Sequence, residues 1–226
     1  MQRRLARPGR EYSVPLPGYQ TMPAKNDDLH GMVPDRGPVA LLLIDVVNDF
    51  DFPTGEQLLL HALPLADRLI ALKHRCQNAR IPVIYVNDNF GRWQSDQRTL
   101  VEHCLRDGAR GRAFVSTLLP AETDYFVLKP KHSGFFSTTL DTLLVYLKAR
   151  TLILAGLTGD ICVLFTANDA FMRDYHLVVP SDCTVSADTA ENEHALAHMR
   201  RVLNVDTTPS ANLDLGQLLH KEAAAG

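Results

Sequence analysis

The chain has 226 residues, of which 46% are hydrophobic and 22% charged, with a formal charge of -3. This balance suits one α/β domain with an ample core, and the absence of a basic excess argues against a nucleic-acid partner. No apolar run approaches the roughly 20 residues that cross a bilayer, and no apolar stretch follows the basic start (Arg3, Arg4, Arg7, Arg10), so neither a membrane span nor a signal peptide is expected and the cytoplasm is the default location.

Residues 1–37 are rich in Pro, Gly and charge and read as an extended arm, with a single domain over 38–226. Residues 38–45 (PVALLLID) form an apolar run closed by a carboxylate, the pattern of a strand buried on both faces. From 56 to 79 apolar residues recur at helical spacing (Leu59, Ala62, Leu63, Ala66, Leu69, Ile70, Leu72), and Pro64 predicts a break or a new start at Leu63–Pro64. A second buried strand is predicted over 81–87 (IPVIYVN), a helix near 96–106 and a third strand over 124–129 (DYFVLK). A helix over 137–149 follows, capped by Ser137 or Thr138, then a fourth strand over 151–156 (TLILAG) and a helix from about 160 to 174. A fifth strand over 176–180, a long helix over 189–203 and a short sixth strand over 204–208 complete the pattern. The alternation predicts a three-layer α/β/α sandwich around a mostly parallel, Rossmann-like six-stranded sheet.

Ligands of such sheets bind beyond the carboxyl ends of the strands. Three reactive side chains fall there: Asp45 closes the first strand, Lys129 closes the third, and Cys162 follows the fourth by a short turn. Each alone has an ordinary explanation: a cap or loop aspartate, a solvated lysine, an inert core thiol. Their coincidence at one rim is what points to chemistry. The segment 156–163 (GLTGDICV) bends at Gly156 and Gly159 and places Cys162 in the first turn of a helix. Unpaired N–H groups and the helix dipole are expected to stabilise a thiolate there and to receive an oxyanion. The four cysteines (Cys76, Cys104, Cys162, Cys183) form no CxxC pair, and the other three read as packing.

Three motifs in order, LLLIDVVNDF (41–50), LKPKHSGFF (128–136) and GLTGDICVLFTANDA (156–170), resemble those of the isochorismatase-like cysteine hydrolases, a family that includes N-carbamoylsarcosine amidase, nicotinamidase and ureidoacrylate amidohydrolase. The resemblance runs from about Pro38 to Asp206. It implies Asp45, Lys129 and Cys162 as a catalytic triad, a cis peptide before Thr158, and an oxyanion hole from the amides of Thr158 and Cys162. It further implies hydrolysis of a C–N bond in a small amide, ureide or carbamoyl compound, and assembly as a homodimer or homotetramer. Nicotinamidases carry a metal site built on an Asp-x-His element after the second strand. Here that region (85–98) has Asp88 but no histidine before His103, so neither a metal nor another cofactor is expected. Val47 stands where the family often has Gln. The pocket is expected to be lined by Phe50, Phe90, Trp93, Phe135 and Phe136, with Asn89 and Arg92 meeting a polar or anionic group; His132 reads equally as an entrance or a surface residue. Two alternatives stay open on the sequence: vinyl ether hydrolysis through Asp45, and a catalytically inactive binding protein on the same fold.

Overall fold

Why the first strand is apolar without interruption follows from where it lies. In the computed structural model, which describes residues 37–224, β1 (Val39–Ile44) runs in the middle of the sheet and is buried along its whole length. The predicted arm, apart from Gly37, falls outside the described residues. β1 pairs with β2 (Val83–Asp88) on one side and β4 (Thr151–Leu157) on the other. β3 (Tyr125–Lys129) and β5 (His176–Val178) are the outer strands, giving the order β3-β2-β1-β4-β5, and every pair is parallel. The sixth strand is β6 (Thr184–Val185), which pairs with Gly156 and Leu157 at the end of β4. The strand predicted over 204–208 reduces to a single bridge between Asp206 and Val178.

Because side chains alternate across a strand, β1 serves two cores. Val39, Leu41 and Leu43 pack with Leu58, Leu65, Leu69 and Leu72 of α1 (Gly55–Asn78). The same layer holds residues of α2 (Gln97–Leu105), α3 (Arg112–Thr117) and α7 (Leu215–Ala224). Ala40, Leu42 and Ile44 face the other layer, with Leu140, Leu144 and Leu147 of α4 (Leu140–Leu147), Ala167 and Ala170 of α5 (Leu164–Phe171), and Ala195 and Met199 of α6 (Thr189–Leu203). The architecture is thus the expected three-layer sandwich.

Three local expectations are corrected. Pro64 does not break α1, which runs through it for 24 residues. The ring lies on the exposed face of the helix. The helix expected from about 160 begins instead as a π-helical turn over Gly159–Val163, so Cys162 precedes α5 rather than opening it. The helix expected over 137–149 is shorter: the hydroxyl of Thr138 accepts from Leu140 N–H at 3.2 Å, and Lys148 closes it in the left-handed conformation. Two helices, α3 and α7, have no counterpart among the predicted elements.

A buried ion pair secures the layer behind β2. Lys73 Nζ lies 2.7 Å from Asp124 Oδ2, with the two side chains 4% and 2% exposed. The same ammonium donates to Tyr85 Oη at 2.9 Å and to the Leu119 carbonyl at 2.8 Å. Lys73→Met would strand a buried carboxylate, so stability is expected to fall by about 3–5 kcal/mol. A lower urea midpoint at unchanged slope reads this; an unchanged midpoint contradicts it.

Candidate active site

The register of the sheet brings the reactive residues together. Ile44 pairs with Val86 and with Gly156, and Asp88 pairs with Lys129, so the ends of β1 to β4 form one rim. Asp45 leaves β1 in the left-handed conformation, at φ 52°. Its Oδ1 accepts from Asp88 N–H at 2.7 Å, and its Oδ2 lies 2.9 Å from Lys129 Nζ. Lys129 is fully buried, and its ammonium also meets the Lys131 carbonyl at 3.1 Å, Asp88 Oδ2 at 3.5 Å and Cys162 Sγ at 3.5 Å. Cys162 Sγ and the Asp45 carboxylate thus flank the same buried ammonium.

The turn that presents Cys162 depends on Gly156. Its φ is 120°, and a Cβ there would stand 2.1 Å from the Ile44 carbonyl oxygen. The Leu157–Thr158 peptide bond is cis. The Thr158 carbonyl then accepts from Ile161 N–H at 3.3 Å and Val163 N–H at 3.0 Å, closing the turn around the half-buried Cys162. The hydroxyl of Thr158 is buried and has no hydrogen-bond partner among the described residues.

Charge inside the cluster is set by burial. Burial raises the Asp45 carboxyl above its usual 3.8, although Lys129 and the thiol pull it down. Burial also raises the Cys162 thiol, and the Asp45 carboxylate raises it further against the opposing pull of Lys129. For Lys129, burial favours the neutral amine, but Asp45, Cys162 and Asp88 outweigh it and the ammonium is stabilised. Burial and the Asp45 carboxylate thus favour the thiol at rest, where the helix dipole alone favours the thiolate, and the carboxylate stands close by to take its proton.

The predicted pocket residues separate into four groups. Phe50 is fully buried, with its ring edge-on to Phe114 at 5.5 Å, and Phe135 is 5% exposed between Tyr175 and the guanidinium of Arg173. Both are core residues, which corrects their assignment as pocket lining. Asn89 is buried and shapes a turn: its side-chain oxygen accepts from Gly91 N–H at 2.9 Å. Phe90 and Arg92 line a cavity of about 360 Å³ beside the first motif, together with Phe52, Thr99 and His103. Trp93 and Phe136 are largely exposed, and the His132 ring lies beside Phe165.

Two supporting residues escaped the sequence reading. Asn87, fully buried, clamps the backbone of Val47: its amide donates to the Val47 carbonyl at 2.7 Å, and its oxygen accepts from Val47 N–H at 3.1 Å. His103 pairs with Asp49 at 2.8 Å and ties α2 to the first motif. An Asn within the second strand, in the run VND, was the only signal for the former. Among the described residues, no group of three or more His, Cys, Asp or Glu is placed to hold a metal ion.

A family model described as the isochorismatase domain matches residues 39–210. The chain belongs to the isochorismatase family. It is 40% identical over 169 residues to the isochorismatase family protein YaaI of Bacillus subtilis, covering 75% of this chain and 92% of that protein. It is 35% identical over 86 residues to the ureidoacrylate amidohydrolase RutB of Methylorubrum extorquens, covering 38% of this chain and 35% of that one. The crystal structure of N-carbamoylsarcosine amidase from Thermoplasma acidophilum superimposes with a TM-score of 0.60 at 25% identity, over 78% of this chain and 98% of that chain. The isochorismatase-family chain is thus a hydrolase by family, with amidohydrolases among its relatives. No described helix is long and apolar enough to cross a membrane.

Proposed function

We propose that this protein is a cysteine hydrolase that cleaves a C–N bond in a small amide, ureide or carbamoyl compound through a thioester acyl-enzyme. One observation carries the reading: Lys129 Nζ stands 3.5 Å from Cys162 Sγ and 2.9 Å from Asp45 Oδ2, so nucleophile and base meet at one buried ammonium. The names of two relatives, an ureidoacrylate amidohydrolase and an N-carbamoylsarcosine amidase, support the substrate class.

The steps follow from the charges. Asp45 accepts the thiol proton as sulfur attacks the carbonyl carbon, so the Lys129 ammonium faces a developing anion throughout. The oxyanion is received by the N–H groups of Thr158 and Cys162. Collapse of the tetrahedral intermediate breaks the C–N bond, and Asp45 delivers its proton to the leaving nitrogen. Asp45 then deprotonates a water, which attacks the thioester, and the sulfur leaves as the thiol once the proton returns. Vinyl ether hydrolysis through Asp45 would leave the thiol without a task, and its place 3.5 Å from the ammonium that also holds Asp45 favours the cysteine route.

The test is a panel of small amides, ureides and carbamoyl compounds assayed for ammonia release. The substrate it yields should protect Cys162 from iodoacetamide, and alkylation of Cys162 should abolish turnover. Turnover that survives complete alkylation of Cys162 overturns the proposal.

A further inference from the structure

The turn carrying Cys162 is tied from outside by residues with no part in the proposed chemistry. β6 extends the parallel ladder to the end of β4, with Gly156 opposite Thr184 and Leu157 opposite Val185. The next residue, Ser186, is 1% exposed and stands beside the π-helical turn, in contact with Asp160. Its hydroxyl accepts from Asp160 N–H at 3.1 Å and donates to Asp160 Oδ1 at 2.6 Å. One hydroxyl thus engages the backbone and the side chain of a residue two positions before the thiol.

Behind Ser186 stands Asn192, on the first turns of α6. Its Oδ1 accepts from the Thr184 hydroxyl at 3.2 Å and lies 3.3 Å from Ser186 Oγ, and its amide donates to the Thr184 carbonyl at 3.4 Å. The same Oδ1 fills the space that a side chain at position 159 would need: a Cβ on Gly159 would stand 2.0 Å from it. Gly159 thus lets α6 approach the turn closely, and Asn192 uses that approach to hold Thr184, two residues before Ser186. The chain of contacts runs from α6 through Asn192 to Thr184 on β6, and from Ser186 through Asp160 to the turn of Cys162.

We infer that Ser186, on a strand that Asn192 holds at Thr184, is a positioning residue that fixes the Asp160 end of the turn and so keeps the Cys162 thiol beside Lys129 and Asp45. A bond of 2.6 Å to a carboxylate is of the charge-assisted kind, which is the stronger class and suits a geometric restraint. Misplacing a reacting group by about 1 Å costs on the order of 100-fold in rate. Loss of the tie is therefore expected to lower kcat with little change in KM, because both residues act through Asp160 and the turn rather than on Asp45, Lys129 or Cys162 directly.

The inference rests on Cys162 being the nucleophile, and its test requires no substrate. The groups facing the sulfur are Asp45 and Lys129, with Asp88 behind the lysine. Burial and Asp45 hold the thiol up and outweigh Lys129. A loosened turn exposes the sulfur and separates it from both partners. In Ser186→Ala and in Asn192→Ala, the pH midpoint for iodoacetamide labelling of the Cys162 peptide should fall toward the ordinary thiol value of about 8.5. A purely structural tie would lower the unfolding midpoint and leave that titration in place. Asn192 is only partly buried, so its variant keeps the test open if Ser186→Ala does not fold. A lowered midpoint in either folded variant supports the inference, and profiles that superimpose on the wild type overturn it. Retained turnover in Cys162→Ala would instead remove the hydrolase reading, an outcome the labelling data separate from this one.

Discussion

Cys162→Ala is expected to lower turnover by about 10,000-fold or more, the scale of loss when the nucleophile of a comparable triad is removed. Asp45→Asn is expected to act in two opposite directions. Turnover should fall by about 100- to 10,000-fold, because the amide cannot take the thiol proton or hand it to the leaving nitrogen. Labelling of Cys162 by iodoacetamide should at the same time shift to lower pH. The carboxylate beside the sulfur raises the thiol, and its removal leaves the Lys129 ammonium as the nearest charge. A more reactive thiol in a dead enzyme is a signature that simple misfolding does not produce. Slower labelling in Asp45→Asn, or retained turnover in Cys162→Ala, contradicts the assignment. The other cysteines supply the internal control: Cys76 and Cys104 are fully buried, and burial pushes each thiol up to about 12. The wild-type rate should lose its acid limb above the usual carboxylate range, since the Asp45 that must be ionised is raised above 3.8.

The sequence made the sheet legible wherever burial was total. The runs over β1 and β4 are apolar on both faces because both faces are covered, and such runs read directly as central parallel strands. The rim followed from the sheet: once three strands are parallel, the residues that close them converge whatever their distance in sequence. β6 was not legible, because two residues carry no periodicity and its place is fixed by pairing with the end of β4. The π-helical turn was hidden for a related reason, since a turn one residue wider leaves the apolar spacing of α5 nearly unchanged. Phe50 shows how a motif can mislead about its own side chains. It is adjacent to the reactive segment in sequence, but a φ of 56° turns the ring into the core against Phe114, 64 positions later. Asn87 and Ser186 are buried polar residues whose partners lie 40 and 26 positions away, so their roles belong to the fold rather than to a local pattern. The helix α7 did carry a signal, in the spacing of Leu215, Leu218 and Leu219, and packing of these residues on the β1 layer explains it.

Lys129→Met is expected to disable the site and to change how folding responds to pH. The ammonium meets four partners: Asp45, Asp88, the Lys131 carbonyl and the Cys162 sulfur. Without it, Asp45 loses the attraction that offsets burial, so its carboxyl rises further above 3.8 and the base becomes protonated toward neutral pH. The thiol loses the charge that pulls it down and becomes harder to ionise. Both changes oppose proton transfer, and turnover should drop by about 100- to 10,000-fold. Labelling of Cys162 should move to higher pH, opposite to Asp45→Asn, so the two variants bracket the wild type. Breaking a fully buried pair should also cost about 3–5 kcal/mol near neutrality. The sign of its pH dependence follows from linkage. A carboxyl whose folded value lies above its unfolded value binds its proton more tightly in the folded state. The stability of the variant should therefore fall as pH rises from the ordinary carboxylate value through the raised one, and recover on acidification. The intact Lys129 is raised above 10.5, so its contribution in the wild type is full below that value and is lost only as pH rises through the higher folded one. Urea midpoints measured across the acid-to-neutral range should thus diverge, with Lys129→Met approaching the wild type at low pH. Parallel curves, or turnover that survives the substitution, would show that Lys129 does not hold the charge balance of this site.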